Sequence, residues 1–453
     1  MSISRVLVAN RGEIAVRIVR ACQSLGVESV LAVSDADRES LGARLADRVV
    51  CIGPAAARES YLNQAALLAA AVGTGADAIH PGYGFLSENP AFAAACEDQG
   101  ICFVGPRAET IAAMGDKVAA RATAERHDIP VVPGSPGVHG LDDAGTVAED
   151  IGYPVLLKAA AGGGGRGIRV VQDADEMQSA FPVAGAEAVA AFGDGTLFVE
   201  RYVPAARHIE VQVLADRHGT VVHLGERDCS VQRRYQKIVE EAPAPSVPEG
   251  VRESIRSAAR RLTAGLGYEN AGTVEFLYDE QRGDHYFLEM NTRIQVEHPV
   301  TEMVTGLDLV RLQLLVASGE PLRLRQEDVH VTGHAIECRI TAESPEKGFM
   351  PSPGRLVRWR PPDGPGIRLD THCVEGYRVP PSYDSLLGKL VTYGSDRGEA
   401  LARMRSALRR FEVEGLDTNI GFLSYLTGRP DFEAARVDTR WVERNLDAFR
   451  GAA

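Results

Sequence analysis

Glu289-Met290-Asn291-Thr292-Arg293-Ile294-Gln295-Val296-Glu297 places an ionisable or amide-bearing residue at every second position. Successive side chains of an extended chain point to opposite faces, so Glu289, Asn291, Arg293, Gln295 and Glu297 are expected along one wall, with Met290, Ile294 and Val296 turned the other way. An amphipathic edge strand with a solvated polar face has the same pattern. The preceding stretch, GTVEFLY (272–278), is joined to HYFLEMN (285–291) by the polar turn DEQRGD. A hairpin closed there brings Glu275 nearly opposite Glu289. Two carboxylates across a ladder repel unless a cation lies between them. Their hard oxygens, with the Asn291 amide, suit a Mg²⁺ ion that bridges nucleotide phosphates; the plainer alternative is a pair of solvated surface acids.

Upstream, Lys158 closes an apolar run and is followed by Ala-Ala-Ala-Gly-Gly-Gly-Gly-Arg-Gly. Consecutive glycines allow positive φ and let backbone N–H groups approach a polyphosphate, while the lysine neutralises it. A mobile flap over phosphates is the functional reading and a surface linker the bland one; no GK[ST] follows, so it is not a Walker loop. Lys117, in MGDK, taken alone reads as a solvated helix lysine. The stretch ERDCSVQRRYQK (226–237) mixes acids and bases densely enough to read, by itself, as a salt-bridged surface face. Arg339 stands in the apolar run HAIECRI, where an unpaired guanidinium is costly if buried; it either snorkels to water or holds an anion. Cys229 and Cys338 read as core thiols.

The N-terminal run Val6–Ala9 leads into Asn10-Arg-Gly-Glu13, which resembles a helix start capped by Asn10 with Glu13 reaching back. Ile14, Ile18, Cys22 and Leu25 follow at helical spacing. With VESVLAVS, ADAIHPGYGF and ICFVGP this predicts a parallel α/β layer to about residue 115. It has no GxGxxG. The Gly/Pro-rich VVPGSPGVHGLDD then opens a small hinged lobe. Further strands, a helix near 250–266 and the hairpin complete a larger lobe. Short apolar runs over 334–395 predict antiparallel β structure, followed by a helix presenting Leu401, Met404, Leu408 and Phe411.

At 453 residues the chain exceeds one ordinary core. A net charge of −13 argues against a nucleic-acid binder, so an anionic ligand needs a local basic pocket. Seven scattered cysteines without a CxxC pair or zinc spacing predict reduced thiols. The charged, interrupted N-terminus supports neither a signal peptide nor a membrane span and predicts a cytoplasmic protein.

Together these motifs resemble the biotin carboxylase family over nearly the whole chain. ANRGEIAVRI, HPGYGFLSEN, MGDK, KAAAGGGGRG, ERDCSVQRRYQK, EEAPAP, EMNTRIQVEHPVTE, ECRI and YDSLLGKL stand in that family's order. Related ATP-grasp ligases share the glycine flap and acidic strands, whereas the RIQVEHPVTE run looks specific to carboxylation of biotin. The resemblance implies an ATP-grasp fold of α/β (overall α+β) class, with an N-terminal α/β domain (1–116), an ATP-grasp domain (117–318, lid about 131–203) and a C-terminal β-rich domain (334–445).

It further implies ATP, two Mg²⁺ ions (Mn²⁺ as an alternative) and carrier-bound biotin. Lys117 and Lys158 would meet the phosphates beneath Gly164 and Gly165. Glu200, Arg201 and Val203 would bracket the adenine, with His208, Gln232 and Tyr235 beside the nucleotide. Glu275, Glu289 and Asn291 would hold the metal. Lys237, Arg293, Gln295, Val296 and Glu297 would surround bicarbonate, Glu297 as the base, and Arg339 would face biotin. Tyr235 and Arg201 stand where many relatives have His and Lys.

No Met-Lys-Met biotinylation signal is present. The expected partners are therefore a separate biotin carboxyl carrier protein and a carboxyltransferase, with a second copy of the chain forming a homodimer. The activity implied is the first half-reaction of acetyl-CoA or another acyl-CoA carboxylase. Two other readings stay open from the residues: another ATP-grasp ligase working through an acyl phosphate, and an ATP-sensing module without turnover.

Overall fold

The computed structural model describes residues 3–135, 137–138, 140–160 and 168–452. The apolar N-terminal run forms the strand Arg5–Val8 at the centre of a five-stranded sheet whose described pairings are all parallel. Val6, Leu7 and Val8 have no exposed surface, as a strand covered on both faces requires. The helix Gly12–Leu25 buries Ile14, Ile18 and Cys22 against it.

The expected cap fails. Arg11 holds the N-cap position without a side-chain cap bond. Asn10 instead accepts from its neighbour's N–H and donates to the carbonyls of Pro81 and Tyr83. Glu13 turns into the interior, where Lys389 Nζ lies 3.0 Å away. A long-range ion pair has overridden local capping.

The small lobe is a three-stranded antiparallel sheet, ordered Ile168–Val171, Val155–Ala159, Leu197–Arg201. The helices Leu141–Ile151 and Ala174–Phe192 pack on it. Val155, Leu157, Val171, Met177, Leu197 and Val199 form a core of its own.

The main sheet has eight strands, in the order Asp284–Asn291, Asn270–Asp279, Ala206–Ala215, Val221–Arg233, Gln236–Ala242, His334–Thr341, Leu386–Gly394, Ile367–Thr371. The antiparallel segment expected over 334–395 is present, and it continues this sheet directly: Val239 pairs with Cys338. The helix expected near 250–266 spans Glu249–Gly265. The last apolar stripe lies on the helix Arg397–Arg410, with Leu401, Met404 and Leu408 buried and Phe411 just beyond its end.

Two local expectations are corrected. The stretch 226–237 is a surface face only at its turn, where Arg234, Tyr235 and Gln236 are exposed; Glu226, Arg227, Asp228 and Ser230 are all buried in the strand Val221–Arg233. The buried charges are satisfied inward, Arg227 by Glu210, Gln212, Thr301 and Thr273. Nor does the 289–297 strand run its full length. It ends at Asn291, residues 292–296 bend away, and Glu297 becomes the N-cap of the helix His298–Thr305. The pleated wall therefore holds only as far as Asn291.

Candidate active site

The hairpin closes as its sequence predicts, with Glu275 paired directly with Glu289. The register extends the row across the sheet, since Glu275 pairs with Glu210 and Glu210 with Arg227. Three carboxylates thus stand side by side on adjacent strands and end on an arginine. Lys237, just past the turn at Arg234 and Tyr235 with their positive φ of 49° and 65°, folds its side chain over the row. Its Nζ lies 2.5 Å from Glu210, 2.9 Å from Glu275 and 2.7 Å from Glu297. His208, two residues from Glu210 and so on the same face, places Nε2 2.9 Å from Glu275.

Although their backbone is not a strand, Arg293, Gln295 and Glu297 still converge on this point. Arg293 donates to Asn291 Oδ1 at 2.9 Å, to Gln295 Oε1 at 3.0 Å and to Glu88 at 2.8 Å. Asn291 and Gln295 both donate to Glu275 Oε1, at 3.0 and 2.9 Å. Glu297 is fully buried, and its second oxygen accepts from Arg339 Nη2 at 2.9 Å. Arg339 also holds Glu240, through Nε at 2.6 Å. Of the two alternatives for Arg339, anion holding is the one realised. Cys229 and Cys338 are buried core thiols.

The electrostatics follow. Burial alone would raise the Glu297 carboxyl, but Lys237, Arg339 and Arg227 outweigh it and hold it well below the ordinary range. Glu275 is likewise held low by Lys237 and His208 against burial. The same acids raise Lys237 and His208 despite their burial. Glu289 differs. It accepts no hydrogen bond among the described residues, and burial and then repulsion from Glu275 push it up. A carboxylate facing the cleft, set against another and lacking its own donor, fits a divalent cation; Asn291 Oδ1 and Glu275 supply further oxygens.

His208, Lys237, Glu275, Glu289, Asn291, Arg293, Gln295 and Arg339 line a cleft of about 2070 Å³ between the small lobe, the main sheet and the N-terminal layer. Lys117 and Lys158 both face it. Lys117 starts the helix Lys117–Arg126, and Lys158 is ion-paired with Glu200, which Arg121 also reaches at 3.3 Å. Arg201, Val203 and Gln232 line the same wall, Gln232 donating to the Cys229 carbonyl at 3.1 Å. Tyr235 lies on the rim, 62% exposed. Val296 lines the cleft, and its carbonyl accepts from Lys389 at 2.9 Å. Gly164 and Gly165 lie outside the described residues.

Sequence reasoning missed Glu210, Arg227, Glu240 and Glu88. The first was signalled, since His208, Glu210 and Gln212 alternate with Ile209, Val211 and Val213. Nothing local marked Glu88, whose partner is 205 residues away.

Three family models cover most of the chain: "Biotin carboxylase, N-terminal domain" over residues 2–111, "Carbamoyl-phosphate synthase L chain, ATP binding domain" over 116–325, and "Biotin carboxylase C-terminal domain" over 337–444. Biotin carboxylase 1 of Bacillus subtilis is 50% identical over 442 residues, 97% of this chain and 98% of its own. The biotin carboxylase of Pseudomonas aeruginosa is 52% identical over 446 residues, covering 98% and 99%. Among solved structures, the biotin carboxylase domain dimer of Hydrogenobacter thermophilus 2-oxoglutarate carboxylase, in complex with MgADP, ADP and bicarbonate, superposes with a TM-score of 0.93 at 46% identity over 99% of both chains. With the acid row, the cation cluster and the two-lobed cleft already in place, the chain belongs to the biotin carboxylase family.

Proposed function

We propose that this chain carboxylates biotin on a separate carrier, using ATP and bicarbonate by way of carboxyphosphate. The observation that supports this reading best is the buried carboxylate of Glu297 held between Lys237 and Arg339, two cations that themselves line a cleft large enough for a nucleotide. A nucleotide sensor has no use for such a base and cation set, and the RIQVEHPVTE run argues for biotin over the amine substrates of other ATP-grasp ligases.

Lys117 and Lys158 bind the ATP phosphates; Glu275, Glu289 and Asn291 hold the magnesium that rides with them, which neutralises the oxygens between which charge moves. Glu200, Arg201, Val203, His208, Gln232 and Tyr235 line the nucleotide. Lys237, Arg293, Gln295, Val296 and Glu297 surround bicarbonate. In the resting site two cations neutralise Glu297, which makes it a weak base. Bicarbonate entering among Lys237 and Arg293 supplies another anion for those cations, and Glu297 is released to take the bicarbonate proton. The bicarbonate oxygen attacks the γ-phosphorus, the bond to the bridging β–γ oxygen breaks, and ADP leaves. Carboxyphosphate then splits to CO₂ and phosphate beside biotin. Arg339 faces the ureido oxygen, where negative charge develops as the ring nitrogen loses its proton to the phosphate.

The chain divides on this reading into 1–116, 117–318 with a lid at about 131–203, and 334–445. It works as a homodimer in the cytoplasm, with a carrier protein bringing biotin and a carboxyltransferase consuming carboxybiotin. No helix among the described residues is long and apolar enough to cross a membrane. The test is direct: purified chain with ATP, Mg²⁺, labelled bicarbonate and free biotin must yield acid-labile label on biotin, and label appearing only on an amine acceptor, or none at all, overturns the reading.

A further inference from the structure

Behind Arg339 two acids face each other with too little to neutralise them. Strands Gln236–Ala242 and His334–Thr341 pair antiparallel, with Glu240 directly opposite Glu337, and neither side chain has any exposed surface. Residues so opposed share a sheet face, with Cβ atoms about 4.5–5.5 Å apart. Of their four carboxyl oxygens, Glu240 Oε2 and both of Glu337 have no hydrogen-bond partner among the described residues. Arg339 Nε takes the fourth.

The surrounding charges are already committed. Arg339 also serves Glu297. Lys389, opposite Arg339 on the next strand, gives its ammonium to the Val296 carbonyl and Glu13. Lys237 is bound by Glu210, Glu275 and Glu297. On the helix packed over this face, His298 is kept uncharged by burial and by Lys389, Arg17 and Arg368. Ala335, Val300, Val304 and Val391 close the rest of the face. Two adjacent buried anions sharing one guanidinium are prohibitively costly. A single proton removes the difficulty, since a protonated carboxyl donates to its neighbour. Burial pushes both groups up, with repulsion from Glu297 adding to it at Glu240 and repulsion from Glu240 at Glu337, in the direction this requires.

We propose that Glu240 and Glu337 share one proton in the working enzyme, Glu337 donating to Glu240, and that this acid pair is the positioning element for Arg339. The inference rests on the reading of Arg339 as the biotin-facing group. With one proton, the pair carries a single charge and holds Arg339 by Nε while Nη2 stays on the Glu297 side. Loss of that proton at high pH adds a second charge behind the guanidinium and draws it back from the cleft.

The experiment uses the full chain. Infrared difference spectra at neutral pH are expected to contain a protonated-carboxyl C=O band, part of which Glu337→Gln abolishes. The kcat/KM for free biotin is expected to fall about tenfold on the alkaline side in the wild type, and Glu337→Gln, which keeps the shape and a donor but cannot ionise, is expected to lose that limb. Should Glu337→Gln fail to fold, Glu240→Gln is expected to raise KM for biotin by more than it lowers kcat for bicarbonate-dependent ATP cleavage. Absence of the band in the wild type, an unchanged alkaline limb in Glu337→Gln, or equal loss of both activities in Glu240→Gln overturns the proposal. The band is read on resting protein, so it tests the shared proton even in a chain that fails to carboxylate biotin.

Discussion

Replacing Glu297 with Gln tests the centre of the mechanism while disturbing little else. The side chain is fully buried and nearly isosteric with glutamine, and the partners it would leave are not stranded: Lys237 keeps Glu210 and Glu275, and Arg339 keeps Glu240. The fold and the nucleotide wall at Lys158 and Glu200 are therefore expected to survive, and ATP affinity should stay within about threefold, a change of less than about 0.7 kcal/mol. Loss of a general base costs about 10²–10⁴ in rate, or about 3–5 kcal/mol of barrier. The assay is bicarbonate-dependent release of ADP with ATP binding followed in parallel. ADP formation within threefold of the wild type, at unchanged ATP affinity, would remove Glu297 from the base role.

Glu289→Gln should separate metal binding from stability. It relieves the repulsion from Glu275 and is expected to raise the Mg²⁺-free melting temperature by the equivalent of about 0.2–1 kcal/mol, while raising the Mg²⁺ concentration for half-maximal activity at least about tenfold; an unchanged Mg²⁺ dependence refutes the assignment. Arg339→Ala should lower biotin carboxylation by about 10²–10³ and bicarbonate-dependent ATP cleavage far less, and equal losses would move Arg339 to bicarbonate positioning. His80, fully buried, accepts the Gly82 N–H at Nδ1, and burial pushes it down to about 3. A depressed histidine contributes stability above its unfolded value and loses it as pH falls, by about 2 kcal/mol between about pH 6.5 and pH 5. Denaturant melts should show this slope, and His80→Asn, which can still accept that N–H, should flatten it; an equal slope in the variant refutes the account.

What was legible in the sequence was whatever repeats at short range. The 2-residue alternation in GTVEFLY and HYFLEMN, with a polar turn between, fixes the hairpin register that sets Glu275 against Glu289. The apolar runs Val6–Ala9 and VESVLAVS fix the parallel layer. The errors fall where distant contacts override local pattern. Glu13 left the helix cap because Lys389, more than 370 positions along the chain, offers a buried cation. The 226–237 segment reads as a surface face only if its charges meet water; here Arg227 is enclosed by Glu210, Gln212, Thr273 and Thr301 from three other elements. Strand alternation would have continued to Glu297 had the chain not turned at residue 292 to start a helix.

That early turn has a consequence for how the acids are used. A strand carried on at about 3.3 Å per residue would put residue 297, eight residues past Glu289, some 26 Å from the row formed by Glu210, Glu275 and Glu289. By bending, the chain returns Glu297 to within 2.7 Å of the same Lys237 Nζ that contacts Glu210 and Glu275. One ammonium thereby couples the metal-side acids to the base. An added cation near Glu275 competes with Lys237 for that carboxylate and shifts the ammonium toward Glu297 and its surroundings, where bicarbonate must sit. Nucleotide loading and bicarbonate binding are then linked through a single side chain, and Lys237→Met should abolish that linkage: bicarbonate KM, expected to fall as Mg-ATP rises in the wild type, should become independent of it. A variant that keeps the dependence would show that the coupling runs through other groups.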